Sequence, residues 1–486
     1  MKLKVCVVGA GLVGLAAARE LQREGHDVAV LEQRGGVGGQ WLYDDYAAID
    51  AADPLGVAGV QSSVYASLRL ITPREVTGFS DFPFRPTTTG GGDARRFPCH
   101  AEFLRYLRDF CDAFGLMDVV RLNTRVLRVA AVSPAPARER GGGWLRWTVR
   151  SRHGEVETEE VFDAVVVAVG SYTQPRLPSI EGMGTWRGRQ LHSHSYRVPD
   201  SFRGEVVVVV GCGFSGKDIA LELRRVAREV HLSAKSTEKA MASPAMSKMF
   251  ARYGNLHLRP QITRLCEDGT VAFADGSRVV ADTVVYCTGY FYSYPFLDTG
   301  GKVTVDGDNR VGPLFEHVFP PDLAPSLSFL GIPNMVTTRF FEAQGRWVAQ
   351  VLSGRRALPP AGEMLRAAEE HVRARDAAGV ARRRTHDVSD LGEEFCERSC
   401  GFPRLEEWEK ELIWTSIAAM LDDLESFRDD FRVTDLVADG LRRHGWIPFA
   451  PPQEPPRQED VVVGNGEGEG VQPVQANQAV ASTLGA

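Results

Sequence analysis

The stretch VCVVGAGLVG, residues 5–14, decides the fold. Val5 to Val8 reads as a short strand buried on both faces, because every side chain in it is apolar. It runs into Gly9-Ala10-Gly11-Leu12-Val13-Gly14, and a helix is expected through about Glu24, with Leu15, Ala18 and Leu21 on one face. Gly25 and His26 end that helix. Val28 to Leu31 form a second strand, closed by Glu32 eighteen positions after Gly14. Each part has a mechanical job. Gly9 permits the tight turn out of the strand, Gly11 lets backbone amides approach a pyrophosphate, and Gly14 lets helix and strand pack closely. The helix N-terminus offers unpaired N–H groups to the phosphates. Glu32 suits a ribose 2′-hydroxyl and would repel a 2′-phosphate, so this unit is expected to take FAD or NAD and not NADP.

A second unit of the same design starts at Val206. Val206 to Val210 is β-branched throughout and enters Gly211-Cys212-Gly213-Phe214-Ser215-Gly216. A helix is expected from about Lys217 to Arg228, then a strand at Val230, His231 and Leu232. No acid ends that strand. Ser233, Lys235 and Ser236 occupy the region instead, and a cation with hydroxyls favours NADP over NAD. A further echo ties the units together. Asp163 to Gly170 reads DAVVVAVG and Asp282 to Gly289 reads DTVVYCTG, each an apolar strand ending in Gly. Asp275-Gly276 marks a turn in the hairpin before the second of them. Leu327 to Gly331 reads as a closing strand of the first unit, followed by a helix from about Glu342 to Leu352.

The expected architecture is therefore α/β, with two Rossmann-like domains of the glutathione-reductase type, the second inserted in the first. The expected boundaries are 1–180 and 323–450 for the FAD domain and 203–322 for the NADP domain. Residues 451–486, rich in Pro, Gly, Gln and Glu, are expected to form a disordered tail.

Length and composition suggest two or three domains of ordinary globular balance. The 486 residues exceed one compact core, and 43% hydrophobic with 24% charged residues is the mixture of a soluble protein. A net charge of −7 argues against a nucleic-acid surface, and the run Arg382-Arg383-Arg384 reads as a solvated loop or helix end. The eight cysteines form no C-x-x-C pair, and Cys396 with Cys400 has no matching pair or His cluster for zinc. Reduced thiols in a cytoplasmic protein are expected, with no metal. The missing dithiol counts against a thioredoxin-reductase-like disulfide enzyme. Lys2 and Lys4 precede an apolar run, but glycines break it and a charged helix face follows, so a buried first strand is expected and not a signal peptide. No stretch is long enough to span a bilayer, and no membrane anchor is expected.

From Val5 to about Ile447 the chain resembles flavin-containing monooxygenases, the plant S-oxygenating branch in particular. Gly38-Gly39-Gln40-Trp41 looks like that family's G-G-x-W. Trp186-Arg187-Gly188, followed by His192 and Tyr196, resembles its identifying sequence F-x-G-x-x-x-H-x-x-x-(F/Y), with Trp replacing the first Phe. Thr288-Gly289-Tyr290 matches its T-G-Y linker, and Glu342-Ala343-Gln344 with Trp347 looks like its helix beside the flavin. Tyr196 stands where Baeyer–Villiger monooxygenases usually carry Trp, so the resemblance leans toward heteroatom oxygenation. It implies that FAD is held by Gly9, Ala10, Gly11, Leu12, Val13, Gly14, Glu32, Gly39, Gln40, Trp41, Val126 and Gln344. It implies that NADPH is held by Gly211, Cys212, Gly213, Phe214, Ser215, Gly216, Lys235, Thr288 and Gly289.

In that family NADPH reduces FAD, oxygen adds to give a flavin 4a-hydroperoxide, and a soft nucleophile, sulfur or nitrogen of a small molecule, takes the distal oxygen. No catalytic triad or carboxylate pair is needed, and none is found. There is one departure. The family usually has an Asn facing the flavin in the segment Ser67–Glu75, and Ile71 stands there; the first Asn of the chain is Asn123. Ile71 cannot donate a hydrogen bond. The alternative expectation is therefore an uncoupled NADPH oxidase that releases H2O2. A non-enzymatic flavoprotein is disfavoured by the intact glycine loops, Glu32 and Lys235.

Overall fold

The computed structural model describes residues 2–44, 55, 61–86, 92–132, 144–334, 336–388 and 390–446. The tail expected at 451–486 lies outside the described residues.

The first nucleotide-binding unit opens with β1 (Lys4–Val8), α1 (Leu12–Arg23) and β2 (Asp27–Leu31). After α2 (His100–Ala113) comes β3 (Val120–Arg121). An antiparallel meander of β4 (Thr124–Ala131), β5 (Trp147–His153) and β6 (Val156–Phe162) leads into β7 (Ala164–Val167). The chain then crosses through β8 (Gln174–Pro175) into the second unit. That unit contains β9 (Arg189–His192), β10 (Val206–Val210), α3 (Phe214–Leu223) and β11 (Glu229–Ser233). It continues with α4 (Thr237–Met241), α5 (Pro244–Arg252), β12 (Leu256–Arg259), β13 (Ile262–Leu265), β14 (Thr270–Phe273), β15 (Arg278–Val280) and β16 (Thr283–Tyr286). The return passes through β17 (Tyr290–Phe291), β18 (Leu297–Asp298), β19 (Thr304–Val305) and β20 (Val311–Gly312) to β21 (Leu327–Phe329). Helices α6 (Thr338–Ser353), α7 (Ala361–Ala377), α8 (Glu393–Cys400), α9 (Glu407–Asp422) and α10 (Asp435–Arg443) complete the described chain.

Two five-stranded parallel sheets result. The first has the order β21-β7-β1-β2-β3 and the second β12-β11-β10-β16-β9. Four strands match one for one. The fifth differs in origin, because β21 comes from the far side of the insertion and β9 comes from just before the second glycine loop. The second unit is thus inserted in the first, and the two crossings pair: Tyr290 lies opposite Pro175 and Phe291 opposite Gln174. Strand alternation divides each sheet between two cores. Val5 and Val7 face α1, α2 and α6, while Cys6 and Val8 face the meander. Val207 and Val209 face α3 and α5, while Val206 and Val208 face the β13–β15 hairpins.

Element ends differ from expectation in explicable ways. Both glycine-loop helices begin at the residue after the middle glycine, so Gly14 and Gly216 lie inside the first turn. α3 stops at Leu223 and not Arg228. Val226 and Ala227 N–H groups already close on the Leu223 carbonyl, and Arg228 N–H donates to Glu205 O, which returns the chain to the sheet. α6 begins a turn before Glu342 and crosses α1 at close range: a Cβ on Gly345 would stand 3.0 Å from Ala17 Cα. At that crossing Arg19, 1% exposed, donates to Glu342, 0% exposed, at 2.5 Å, and also to Glu20 and Asp81. Glu342 in turn accepts from Ser80 N at 2.9 Å.

Several imidazoles are enclosed in this framework. Burial, with a neighbouring histidine in each case, pushes His192 and His386 down to about 4. His231 is lowered by burial too, with His257 and Arg259 facing it.

Two outcomes follow for stability. Glu342→Ala leaves the Arg19 guanidinium buried with weaker compensation, and thermal unfolding is expected to register a loss of about 3 kcal/mol or more; an unchanged melting temperature would show the pair to be dispensable. The histidines set the acid limb. The unfolded chain protonates them from about pH 6.5, whereas folded His192 and His386 resist until about 4. Stability is therefore complete above roughly pH 6.5 and declines as pH falls toward 4, by up to about 3 kcal/mol per site. A melting temperature that stays flat across that window would contradict the assignment.

Candidate functional site: two glycine loops with unlike rims

The two loops superpose in their physics. Gly9 has φ +104° and Gly211 φ +109°, values that L side chains rarely adopt. A Cβ on Gly9 would stand 2.6 Å from Ala168 O, and one on Gly211 2.4 Å from Cys287 O. A Cβ on Gly14 would stand 1.9 Å from Gly9 O, and one on Gly216 1.8 Å from Gly211 O. These four positions are glycine because the protein itself leaves no room. The middle glycines are different. Gly11 and Gly213 have φ −79° and −80°, open to any residue. A Cβ on Gly213 would meet nothing within 4 Å, and one on Gly11 only the Gly39 backbone at 3.5 Å. Neither conformation nor packing demands glycine there, so the space in front of them is what the glycines keep clear. Neither helix N-terminus has a side-chain cap or an acid in its first turn. The N–H groups of Leu12, Val13 and Gly14, and of Phe214, Ser215 and Gly216, open on the same space.

Around the first loop the other expected residues assemble. Glu32 is buried; its Oε2 accepts from Ala10 N at 2.8 Å and its Oε1 from Arg34 N at 2.9 Å. The carboxylate thus braces the loop while keeping a second lone pair on each oxygen. Gly38 N–H donates to Ala10 O, and a Cβ on Gly39 would stand 2.9 Å from Gly11 Cα, so the two glycine-rich turns face each other. Gln40 O accepts from Ser62 Oγ at 2.7 Å, and Trp41 lies edge-on to Phe103. Val126 is half-buried on β4, two residues beyond Thr124, whose N–H donates to Glu32 O. Gln344 is fully buried: Oε1 accepts from Gly331 N at 3.2 Å, while Nε2 has no partner among the described residues.

The rim of the second loop is unlike the first. The register pairs Val8 with Leu31 and Val210 with Ser233, so Ala234 occupies the position of Glu32. Lys235 comes next, exposed and without an ion pair among the described residues. The grouping of Ser233, Lys235 and Ser236 read from the sequence is corrected here: Ser233 is buried and donates to Pro260 O, and Ser236 caps α4 by accepting from Lys239 N. Cys212 is half-buried in the loop itself. Thr288 and Gly289 lie on the crossing, where Thr288 Oγ1 donates to Arg176 O and Arg176 N–H to Gly289 O.

The residues of the identifying sequence are internal. A Cβ on Gly188 would stand 2.3 Å from the Trp186 ring, so this glycine is the seat of the indole, whose Nε1 is buried without a partner among the described residues. His192 ends β9 opposite Tyr286, and its Nδ1 accepts from His194 N at 3.1 Å. Tyr196 donates to Glu222 of α3 at 2.7 Å.

Large apolar side chains left exposed include Ile71 at 39%, Tyr172 at 44% and Phe214 at 39%. Phe214 follows Gly213 directly. Tyr172, which the sequence did not single out, sits edge-on to Tyr290 of the crossing. Thr72 brings no spare donor to Ile71's side. Thr77 Oγ1 donates its single proton to Pro73 O, so in the 2.8 Å contact between the two hydroxyls Thr72 must be the donor. Elsewhere, Glu229, His231 and His257 converge within 4.8 Å. Arg259 Nε donates to His231 Nδ1, which places the His231 proton on Nε2, toward Glu229. That group is satisfied internally. Among the described residues no helix is long and apolar enough to cross a membrane.

Comparison with known proteins agrees with this geometry. The family model described as flavin-binding monooxygenase-like matches residues 2–249 and 243–391. The chain is 50% identical over 461 residues to "Flavin-containing monooxygenase FMO GS-OX-like 9" of Arabidopsis thaliana, covering 92% of this chain and 96% of the relative. Its structure matches that of S-allyl-L-cysteine S-oxygenase from Allium sativum with a TM-score of 0.80 at 39% identity, covering 92% and 99% of the two chains. A likeness to Tmm from Pelagibacter, TM-score 0.73 at 21% identity over 89% and 94% of the chains, extends to the fold. With two rebuilt dinucleotide loops and relatives of this similarity along nearly its whole length, the chain belongs to the flavin-binding monooxygenase-like family, enzymes whose cofactors are FAD and NADPH.

Proposed function

We propose that the protein oxygenates a soft heteroatom, thioether sulfur or amine nitrogen, of a small molecule at the expense of NADPH and O2. The observation that carries this reading is the pair of middle glycines, Gly11 and Gly213, that no intramolecular contact requires, set beside unlike rims at Glu32 and Ala234-Lys235. FAD, once bound and reduced by NADPH, supplies the oxygen activation. The chain's own residues bind and orient. Gly9 to Gly14 present amides to one pyrophosphate, and Glu32 accepts from the adjoining ribose. Gly39, Gln40, Trp41 and Val126 frame the same cofactor, and the unpartnered Gln344 amide is a donor held for it. Gly211 to Gly216 present amides to the second pyrophosphate, Lys235 pairs with the 2′-phosphate, and Thr288-Gly289 shape the crossing beside it. Residues 1–180 and 323–450 then serve FAD and 203–322 serve NADPH.

Sulfur is favoured over nitrogen by the S-oxygenase likeness. The chemistry lies in the cofactors, so the neutral, enclosed His192, which ends β9 opposite Tyr286 of β16, donates no proton to substrate. All eight cysteines are free, which fits a reducing, cytoplasmic setting. A second reading has its own observation: Ile71 offers no donor and Thr72's proton is spent on Thr77. A site without that polar contact is expected to lose part of its reducing equivalents as H2O2.

The test is the ratio of products to NADPH on a simple methyl thioether. Sulfoxide is expected, with NADPH consumed in excess and the excess recovered as H2O2; Ile71→Asn is expected to narrow the gap. Absence of sulfoxide and of N-oxide from a tertiary amine would contradict the oxygenation, and a one-to-one ratio in the unmodified protein would remove the leakage reading. Lys235→Ala is expected to weaken NADPH binding by about tenfold or more, the worth of a charge-assisted hydrogen bond, with NADH unaffected. Equal losses for both would show that Lys235 does not read the 2′-phosphate.

A further inference from the structure

α3 carries more than the second glycine loop at its N-terminus. One turn in, Asp218 accepts from Tyr65 Oη, and one turn later Glu222 accepts from Tyr196 Oη. Asp218 is also reached from the far end of the chain: Arg428 Nη1 donates to its Oδ1 at 3.3 Å. The same guanidinium donates through Nε to Leu70 O at 3.2 Å. Leu70 is the neighbour of Ile71. One side chain, 12% exposed, therefore ties the helix of the second unit to the backbone of the segment that faces the first.

The residues around Arg428 extend the tie in both directions. Asp422 pairs with Lys248, Asp423 with Arg252, and Glu425 with Arg224 at 2.5 Å, with Arg252 at 3.0 Å and with Tyr253. All four of these partners belong to α5 or to the chain flanking α3 and α5, in the second unit. Asp429 pairs with Arg69 at 2.7 Å, and Arg69 Nε donates to Phe97 O. Between the two grips Phe427 packs against Phe97, in an apolar cluster with Met420. The acids of 422–425 thus hold the second unit, Asp429 holds the Arg69 side, and Arg428 reaches both, through Asp218 and Leu70 O.

We propose that residues 422–429 form an ionic clasp between the two nucleotide-binding units, and that Arg428 is a positioning residue that sets the spacing across which the hydride leaving NADPH adds to FAD. The chemistry that makes such a device effective is distance. Misplacement of reacting groups by an ångström changes rates strongly, while the glycine loops that bind each dinucleotide stay intact. The clasp acts on the units and not on either cofactor. Its partly exposed pairs are open to screening by salt. The proposal rests on the reduction of FAD by NADPH, which the unmodified holoenzyme reports separately.

The test compares the unmodified protein, Arg428→Ala and Arg428→Lys by two readouts. The first needs no turnover: hydrogen exchange of peptides covering 69–77 and 214–223. Arg428→Ala is expected to raise exchange in both segments together, with FAD content unchanged. The second is anaerobic flavin reduction in a stopped-flow instrument. The limiting rate at saturating NADPH is expected to fall about tenfold or more, with the NADPH dissociation constant changed by less than about threefold. Arg428→Lys, which keeps the charge but not the two-sided reach, is expected to fall between. A limiting rate within about twofold of the unmodified protein, or exchange that rises in one segment alone, overturns the proposal. If Arg428→Ala fails to fold, Glu425→Gln, which loosens only the grip on Arg224, Arg252 and Tyr253, is judged by the same two outcomes. Failure of the unmodified protein to be reduced by NADPH at all would count against the proposed function and not against the clasp.

Discussion

The structure depends on two contacts in which a helix backbone rests directly on the turn that precedes it. Gly14 sits over the Gly9 carbonyl and Gly216 over the Gly211 carbonyl, each with no space for a single carbon atom. That seating points the helix N-terminus at a fixed spot beyond the strand end. It also fixes where the neighbouring strand stops, because Gly9 N–H donates to Leu31 O and Gly211 N–H to Ser233 O. The residues that follow, Glu32 in one unit and Ala234-Lys235 in the other, are thereby delivered to the same place on two different sheets. The two rims thus differ in a carboxylate at Glu32 and an exposed ammonium at Lys235, the difference on which the proposed division between FAD and NADPH rests.

The duplication gives one chain two dinucleotide-binding loops, and the insertion joins the two units that carry them. The crossings at β8 and β17 pair with each other, so the units are joined at one short two-stranded seam. A seam of that size leaves orientation to other contacts. The α1–α6 crossing with its buried Arg19–Glu342 pair braces the first unit, and in the second the Tyr196 hydroxyl, on the chain that follows β9, donates to Glu222 of α3. The Ile71 segment lies between the units. Its backbone is held from both sides while the isoleucine side chain stays exposed.

Local features were legible from the chain alone. Each glycine loop with its flanking strands, and Glu32 with the first, falls within about thirty residues of sequence, and the order within each unit is imposed by short-range sterics. The motif residues were legible as a motif but not as to place: nothing in Trp186, Gly188, His192 and Tyr196 announces that they are internal, and Gly188 needs the Trp186 ring above it to make sense. Side-chain direction escaped the reading too. Ser233 looked like a phosphate ligand until the strand register turned its hydroxyl toward Pro260. Least legible were pairings between distant segments. Tyr65, Asp218 and Arg428 are ordinary residues in ordinary contexts, and only the folded chain brings them together. Arg19 and Glu342 are the same case, each an unremarkable charge on an amphipathic helix until the helices cross.

The central claim is that each loop serves its own dinucleotide, and the two unconstrained glycines test it most directly. Gly11→Val and Gly213→Val place a side chain in the phosphate space of one loop each, and the surroundings of both positions leave room for the fold to form. The measurement is flavin content together with anaerobic bleaching by NADPH. The account predicts a colourless Gly11→Val protein that FAD does not restore, and a yellow Gly213→Val protein that NADPH fails to bleach. A yellow Gly11→Val protein, or a Gly213→Val protein bleached by NADPH as readily as the unmodified one, would contradict it.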